Sequence, residues 1–456
     1  MLFRKKAPER PVTRIGTGVH LDDPTRIVEI ALPDEDRRRH CFIFGTTGVG
    51  KTRLVELMIA QDIAKGYSVV YFDPKGDQQS FTRIYEEARR AGREGDMMLV
   101  TPIFPEYSAV VDPLAYYFMP DELVGHIVSG ITVGKEPYYR NVAKEITTAV
   151  VLSNILLARE EGRLPGQNLD AIRQGIRRSA LEQTMHALRR LADPEAASVA
   201  GALQDILDSP QDYYAKVSST LRTCLNDLSF GNVGAIIGKA DSNRFMQRLE
   251  EGRSVILIVH TGSSITREAG ATLSRVILSM LQSFIGRVYM SNRQRVSPPL
   301  AVYLDEAQNI LFQGAENLFA QAGAADVMMH AFAQSINQLE AVLGREFARS
   351  ILDIANTKLF MRCNDAETSE YVVRHFGVHN VLAGIFSTAQ VTTREIEQDV
   401  LKTQDILGLQ PREFYLMTFS GRYRGTTLDA PPPELRIVFP DAPAAQRGQG
   451  REVDHG

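Results

Sequence analysis

Residues 45–52 read GTTGVGKT, a full match to the phosphate-loop pattern G-x-x-x-x-G-K-[ST]. The apolar run Cys41–Phe44 precedes this motif, and a helical pattern of apolar residues through Ile63 follows it. A strand, a glycine-rich turn and a helix in this order form a unit that aims backbone N–H groups at phosphate oxygens. The motif therefore predicts an α/β fold with a phosphate site at the carboxyl edge of its sheet.

The same motif supplies the candidate ligand residues. Lys51 is expected to pair with the β- and γ-phosphates, and the Thr52 hydroxyl is expected to ligate Mg²⁺. The alternative is a glycine-rich turn that binds no nucleotide, which the strand–loop–helix context disfavours. ATP with Mg²⁺ is the predicted ligand, and the residues predicted to bind it are Gly45, Thr46, Thr47, Gly48, Val49, Gly50, Lys51 and Thr52.

Strand patterns alternate with helical patterns on both sides of a long helical stretch. Such alternation predicts a parallel sheet that is covered on both faces. The strands are predicted at 41–44, 68–72, 98–101, 254–259, 300–304, 327–332, 358–362 and 414–418, with a long helix at 269–290. The predicted domains are a polar N-terminal segment at 1–40, a discontinuous nucleotide-binding domain at 41–115 and 252–430, an all-α insertion at 116–251 and a flexible tail at 431–456.

Two carboxylates follow one of these predicted strands. The run Leu300–Leu304 ends in Asp305 and Glu306, far from the phosphate loop in sequence, so the helical insertion must interrupt the sheet. Asp305 is the expected Mg²⁺ ligand, and Glu306 is expected to polarise the attacking water. This pair is typical of ATP hydrolysis rather than of nucleotide binding alone.

Gln334 and Arg362 complete the predicted catalytic set. Gln334 follows the strand at 327–332 and is expected to hydrogen-bond the γ-phosphate, with an ordinary turn glutamine as the alternative. Arg362 ends the strand at 358–362 and is a candidate for a guanidinium supplied at a subunit interface. Other arginines compete for that role, and a structural ion pair is the alternative for Arg362; the competitors are Arg345, Arg349 and Arg374.

Charge and composition exclude several classes of protein. The 51 Lys and Arg against 55 Asp and Glu give a net charge of −4, which excludes a globally basic nucleic-acid coat protein. No apolar run reaches the roughly 20 residues that span a bilayer. The three scattered cysteines favour a reducing, cytosolic compartment. One local cluster of arginines is either a solvated helix face or a contact patch for DNA or a protein; its members are Arg173, Arg177, Arg178, Arg189 and Arg190.

An ordered set of motifs resembles the type IV coupling proteins of conjugation, the TraD/TraG class, and most closely the coupling factors of integrative conjugative elements. The resemblance covers roughly residues 39–425 and is strengthened by the segments 238–252 and 274–284. The motifs are GTTGVGKT, FDPKGD, YLDEAQNIL, FAQSINQL and NTKLFMRCNDAETSEYVVRHFG.

This resemblance implies a RecA-like P-loop ATPase sheet with an inserted all-α domain. It further implies a homo-hexamer around DNA that brings a relaxase–DNA complex to a type IV secretion channel and drives transfer with ATP. The family roles fall on Lys51, Thr52, Asp305, Glu306 and Gln334. Family members usually carry N-terminal transmembrane helices, which these 456 residues lack, so membrane association is expected only through partners or a missing segment. The expected location is the cytoplasm, with recruitment to the inner membrane.

The identity of the trans-acting arginine is not determined by the sequence. Many relatives place an arginine about ten residues before the glutamine, where this chain reads GAAD at 323–326.

Other functions also remain open from the sequence alone. An ATP-gated adaptor that binds relaxase or effector proteins is one alternative function. A related RecA-like ATPase for DNA processing or secretion pili is another. A nucleoside kinase fits the phosphate loop alone and leaves Asp305, Glu306 and the insertion unexplained.

Overall fold

A computed structural model of the chain describes residues 11–131, 137–163, 168–386 and 391–440. Its strands are β1 (Val12–His20), β2 (Asp23–Pro33), β3 (Cys41–Phe44), β4 (Ser68–Asp73), β5 (Met97–Val100), β6 (Ile256–His260), β7 (Leu300–Leu304), β8 (Val327–Ala333), β9 (Thr357–Phe360), β10 (Val378–Phe386), β11 (Val391–Asp399), β12 (Glu413–Thr418) and β13 (Gly421–Thr427). Within the described residues, eleven of these strands form one sheet in the order β2-β1-β13-β12-β9-β3-β8-β7-β4-β6-β5, and β10 pairs with β11 separately.

The helices lie between these strands and on both faces of the sheet. They are α1 (Asp34–Arg37), α2 (Lys51–Ala64), α3 (Gln78–Arg90), α4 (Pro120–Ser129), α5 (Pro137–Glu160), α6 (Leu169–Gly175), α7 (Arg178–Leu188), α8 (Pro194–Asp208), α9 (Gln211–Val217), α10 (Ser219–Ser229), α11 (Gly231–Val233), α12 (Arg244–Glu250), α13 (Ser263–Thr266), α14 (Glu268–Met290), α15 (Ala315–Ala322), α16 (Ile336–Leu343), α17 (Arg345–Ile354), α18 (Ala366–Phe376) and α19 (Thr403–Leu407).

The seven strands from β9 to β5 run parallel, and all of them except the edge strand β5 carry buried side chains on both faces. Alternate residues of β4 belong to two separate cores: Val70 and Phe72 pack on one face, and Val69 and Tyr71 on the other. A continuous apolar strand suits this arrangement because both faces of the sheet exclude water. The α/β RecA-like fold class predicted from the sequence is confirmed.

The long helical stretch enters the sheet as one connection. Strands β5 and β6 are parallel neighbours, and helices α4 to α12 lie between them in sequence. Leu123 of α4 and Leu203 of α8 share the core that lies under Val70 and Phe72. The helical layer is therefore packed into the same hydrophobic core as one face of the sheet.

The N-terminal segment is more regular than predicted. Residues 1–40 are polar and interrupted by prolines, yet β1 and β2 pair with each other and β1 pairs with β13, which extends the sheet with antiparallel strands. Ile15, Ile30 and Leu32 are buried in the core. Their pattern is weak in the sequence because most of β2 is exposed, so hydrophobic alternation covers only its second half.

Other boundaries also differ from the sequence-based ones. Strand β9 ends at Phe360, so Arg362 lies beyond the strand rather than at its end. Strand β13 and the β10–β11 pair were not predicted from the sequence. In the tail, residues 431–440 carry no helix or strand, and Phe439 contacts the rings of Phe81, Phe104 and His260. The prediction of a flexible tail otherwise falls on residues 441–456, outside the described part of the chain.

Among the described residues, one helix passes a length and composition test for crossing a membrane. It spans Tyr138–Glu160, with a mean hydropathy of 1.2, and 50% of its apolar window is buried within the fold. The core helix of a soluble protein passes the same test, so this helix is weak evidence for a membrane span.

Candidate functional site

The phosphate loop connects the carboxyl end of β3 to the first turn of α2. Gly48 and Gly50 have φ angles of 83° and 108°, a region that favours glycine, and this lets the loop turn tightly around a phosphate-sized space. The Gly45 N–H donates to Ala333 O (3.2 Å), and the Thr46 N–H donates to Arg362 O (2.8 Å). The end of β8 and the segment after β9 thus hold the start of the loop in place.

Lys51 is buried at the base of this loop. Its ammonium group donates to the backbone oxygens of Gly45 and, at 3.0 Å, Thr46. Burial lowers the pKa of Lys51, while the charge of Asp305 acts in the opposite direction. Thr52 follows on the first turn of α2 and is half-buried. The lysine currently satisfies loop carbonyls and can exchange them for phosphate oxygens.

Asp305 and Glu306 lie where β7 ends, at the same sheet edge as the phosphate loop. Asp305 is 1% exposed, its N–H donates to Phe72 O (3.1 Å), and its Oδ1 accepts from the Glu306 N–H (3.1 Å). Glu306 is partly exposed and has a φ of 51°, in the left-handed region. This backbone turn separates a buried carboxylate that suits a metal ion from an accessible one that suits water.

Lys75 is a functional candidate outside the predicted catalytic set. Its ammonium Nζ lies 3.6 Å from Asp305 Oδ2 and 3.5 Å from Glu306 Oε1, so it bridges the two predicted catalytic carboxylates. Burial acts to lower the pKa of Lys75, but the charges of Asp305 and Glu306 outweigh it and raise the pKa. The FDPKGD motif follows β4, and the sheet order β7-β4 brings it beside the carboxylates.

The turn that carries Lys75 is fixed by Asp73 at the end of β4. The buried carboxylate of Asp73 accepts from the N–H groups of Lys75 (3.0 Å), Gly76 (3.1 Å) and Asp77 (2.8 Å). Burial raises the pKa of Asp73, while the charge of His260 and these donors lower it. Three hydrogen bonds to one side chain hold the backbone of the turn, so Lys75 approaches the carboxylates from a rigid base.

Gln334 follows β8 directly, as predicted. In the sheet order β3-β8-β7, this places it between the phosphate loop and the carboxylate pair. Its Oε1 accepts from Gln338 Nε2 at 3.4 Å, and the side chain is partly exposed.

Arg362 is exposed, and within the described residues its side chain has no carboxylate in ion-pair range. Among its competitors, Arg349 pairs with Glu340 (2.5 Å) and Arg374 with Glu370 (3.8 Å), whereas Arg345 is exposed. Arg362 also lies next to the loop through its own carbonyl oxygen, which accepts from the Thr46 N–H. Its role at a subunit interface stays a prediction.

Arg412 supports the loop from the side of the antiparallel strands, and sequence reasoning missed it. Its N–H donates to Val49 O (2.8 Å), and its guanidinium donates to Thr427 O (2.6 Å) and pairs with Asp429. Because Arg412 carries no motif and lies far from the loop in sequence, no signal could have identified this contact.

Two family sequence models match the chain. The first, described as the TraM recognition site of TraD and TraG, matches residues 299–411. The second, described as the central domain of the helicase HerA, matches residues 16–114. Among curated proteins, the type 4 coupling protein DotL of Legionella pneumophila is 33% identical over 72 residues, which is 16% of this chain and 9% of DotL.

The chain resembles the type IV coupling proteins in part of its sequence and in its fold. Its fold is similar to an unbound form of the bacterial conjugative coupling protein TrwB, with a TM-score of 0.66, 15% identity and coverage of 93% of this chain and 95% of TrwB. TrwB in complex with ADP and Mg²⁺ matches with a TM-score of 0.61 and 15% identity over 95% and 90% of the two chains. VirB4 of Thermoanaerobacter pseudethanolicus matches with a TM-score of 0.55 and 12% identity, over 92% of this chain and 97% of VirB4. The resemblance that the motifs predicted is confirmed.

Proposed function

We propose that the chain hydrolyses ATP and uses the energy as a conjugative coupling protein. One observation carries the proposal: Lys51, Asp305 and Glu306 meet at one sheet edge, on strand ends that flank Gln334. Phosphoryl transfer needs positioned positive charge, a metal ligand and a residue that orients water, and these residues supply all three. The solved structure of TrwB with ADP and Mg²⁺ supports the choice of nucleotide and metal.

Each residue has a distinct part in the proposed reaction. Lys51 would release the carbonyl oxygens of the loop and neutralise charge on the β- and γ-phosphates. Asp305 and Thr52 would hold Mg²⁺, which neutralises phosphate charge when bound; a buried carboxylate beside a hydroxyl fits that hard cation. Glu306 would accept a proton from the attacking water, and Gln334 would hydrogen-bond the γ-phosphate.

The DNA-handling role is the finer part of the proposal. We infer that the chain assembles as a hexamer, binds DNA, and brings a relaxase–DNA complex to a type IV secretion channel on the cytoplasmic side of the inner membrane. The similarity of the fold to TrwB over nearly the whole chain supports this assignment, as does the sequence match to DotL. Arg362 is exposed beside the phosphate loop. It is the candidate arginine whose guanidinium would reach the nucleotide site of a neighbouring subunit.

A second candidate function is an ATP-gated adaptor that binds a protein partner. The match of residues 299–411 to a model described as the TraM recognition site of TraD and TraG favours it. In that case hydrolysis would reset the adaptor rather than move DNA. Because those residues include Glu306 and Gln334, partner binding and nucleotide state would be coupled through the same segment.

The test compares nucleotide binding with turnover in two site variants. Lys51→Ala is expected to lose ATP binding, whereas Glu306→Gln is expected to bind ATP while turnover falls by about 100-fold or more. Fluorescent-nucleotide titration and phosphate release measure the two quantities. Glu306→Gln turning over ATP at the wild-type rate would refute the assigned chemistry. Turnover that responds to a protein partner but not to DNA would favour the adaptor.

A further inference from the structure

A cavity of about 290 Å³ lies in the helical layer, far from the phosphate loop in sequence, and four arginines line it. They come from α6, α7 and α10 and from the residue before α7: Arg173, Arg177, Arg178 and Arg222. The buried ring of Tyr214 forms part of the wall, and its hydroxyl donates to Ile176 O (2.5 Å). The volume is near the lower end of the range for ligand pockets, about 300 Å³.

The positive charge of this cavity is only half compensated. Arg173 pairs with Asp170 (2.7 Å), and Arg178 lies 3.8 Å from Glu182. Arg177 and Arg222 are exposed and have no carboxylate in ion-pair range among the residues that the structure describes. Two guanidinium groups are therefore available to an anion, because the one side-chain hydrogen bond of Arg222 in the structure, to Ala215 O (2.7 Å), leaves its other donors open.

An exposed aromatic ring lies at the edge of the same cluster. The Arg173 guanidinium lies 4.7 Å from the ring centroid of Phe230, and Phe230 is 56% exposed at the end of α10. An arginine that is itself held by Asp170 keeps one face of the ring covered. The rest of the ring is open and accessible to a ligand.

We propose that this cavity, with Phe230 at its rim, binds the phosphate backbone and a base of single-stranded nucleic acid. Guanidinium groups match phosphate oxygens in bidentate geometry, and an aromatic face suits an unpaired base. Duplex DNA offers phosphates but no free base face. An acidic protein segment would use the charges and leave Phe230 without a partner. The inference rests on the DNA-handling role proposed above and deepens it by naming a site.

Fluorescence anisotropy with a labelled oligothymidylate tests the site in the full chain. Arg177→Ala/Arg222→Ala removes the two uncompensated charges, and Arg189→Ala/Arg190→Ala removes two exposed arginines of the same layer that do not line the cavity. The first variant is expected to bind at least about tenfold more weakly than the second. Its salt dependence should fall by about 1.4 in log–log slope, since each single-strand phosphate contact contributes about 0.7.

Phe230→Ala provides a second, independent readout. It is expected to weaken binding of the oligothymidylate about tenfold with an unchanged salt slope, because stacking carries no counterion release. Arg177→Lys/Arg222→Lys keeps the charge and is expected to retain most of the slope, which controls for folding. Equal losses in the two double-alanine variants would overturn the proposal, as would a cavity variant that loses polyglutamate binding and keeps that of the oligothymidylate.

The outcome separates this site from the proposed function. If the wild-type chain hydrolyses ATP but binds no oligothymidylate, the DNA-handling role and this site both fail. If DNA stimulates turnover equally in the wild type and in Arg177→Ala/Arg222→Ala, and their affinities match, only the site fails. We expect Arg177→Ala/Arg222→Ala to hydrolyse ATP at the wild-type rate without DNA. Stimulation of its turnover should need about tenfold more oligothymidylate than in the wild type.

Discussion

Replacing Arg37 with methionine tests how the N-terminal strands are attached to the sheet. Arg37 is 0% exposed, and its guanidinium donates to both oxygens of Asp62 (2.7 and 2.6 Å) and to the hydroxyls of Thr13 (2.7 Å) and Tyr303 (3.0 Å). This single side chain therefore joins β1, α2 and β7. The methionine fills a similar volume and removes only the charge and the hydrogen bonds.

The expected cost follows from the groups left behind. Asp62 is fully buried, and breaking a buried ion pair by removing one partner costs about 3–5 kcal/mol. Lys65 moderates the cost, since its ammonium lies 3.0 Å from Asp34 Oδ1 and 3.8 Å from Asp62 Oδ1. We therefore expect a loss of about 3 kcal/mol, at the lower end of that range.

Hydrogen exchange measures this locally, which matters because a chain of this size need not unfold in one step. Amides of residues 12–33 are expected to exchange roughly 100-fold faster in Arg37→Met, as about 3 kcal/mol implies. The matched control is Arg39→Ala, which removes a neighbouring arginine whose guanidinium lies over the ring of the exposed Phe419. Exchange in Arg37→Met that equals that of the control would refute the argument that this network anchors the strands.

Three further predictions concern the site, its pH dependence and the tail. Lys75→Ala is expected to slow ATP hydrolysis by about ten- to a hundredfold while ATP still binds, because Glu306 loses the cation that holds it. Lys75→Arg should recover part of the rate. Phosphate release measures both variants, and an unchanged rate in Lys75→Ala would exclude a positioning role. Burial lowers the pKa of His40 from 6.5 to about 4, so the unfolded chain binds a proton first as the pH falls. The stability that His40 contributes is therefore complete above pH 6.5, and about 3 kcal/mol of it is lost by pH 4. Urea unfolding of His40→Gln should show a pH dependence weaker by this amount, and a pH dependence equal to that of the wild type would contradict the prediction. Phe439→Ala should expose residues 431–440 to limited proteolysis by removing the contacts with Phe81 and Phe104, and an unchanged cleavage pattern would contradict that anchor.

The sequence sufficed for the parts of the fold whose signals are local. The phosphate loop, the continuous apolar strands and the carboxylates after β7 each carry their pattern within about ten residues, and the structure has them at the predicted positions. The sheet order β3-β8-β7, which hydrophobic periodicity does not determine, comes from the structure. These elements determine which residues can meet at the carboxyl edge.

The rest depends on contacts between residues that are distant in the chain. Strand β1 is recognisable only through its pairing with β2 and β13. Arg37 lies in a run of basic residues, yet it is fully buried, where it forms an ion pair with Asp62. Lys75 reaches Asp305 and Glu306 only once β4 lies beside β7. Hydrophobic periodicity carries no information about such pairings, since the residues involved are polar.

The arginine cluster could also be predicted only in part, because its members come from helices that are distant in the chain. The sequence grouped Arg173, Arg177 and Arg178 with Arg189 and Arg190, but the cavity excludes the last two and adds Arg222 from α10. Helix packing, not spacing along the chain, selects which charges share a surface.

We propose that the site around Lys51 and Glu306 hydrolyses ATP in response to DNA. The most direct measurement is the steady-state ATP turnover of the full chain, with and without single-stranded DNA, beside Lys51→Ala. Turnover is expected to rise when DNA is added, and Lys51→Ala is expected to abolish it in both conditions. Turnover that does not change when DNA is added, or that persists in Lys51→Ala, would refute the proposed DNA-dependent hydrolysis at this site.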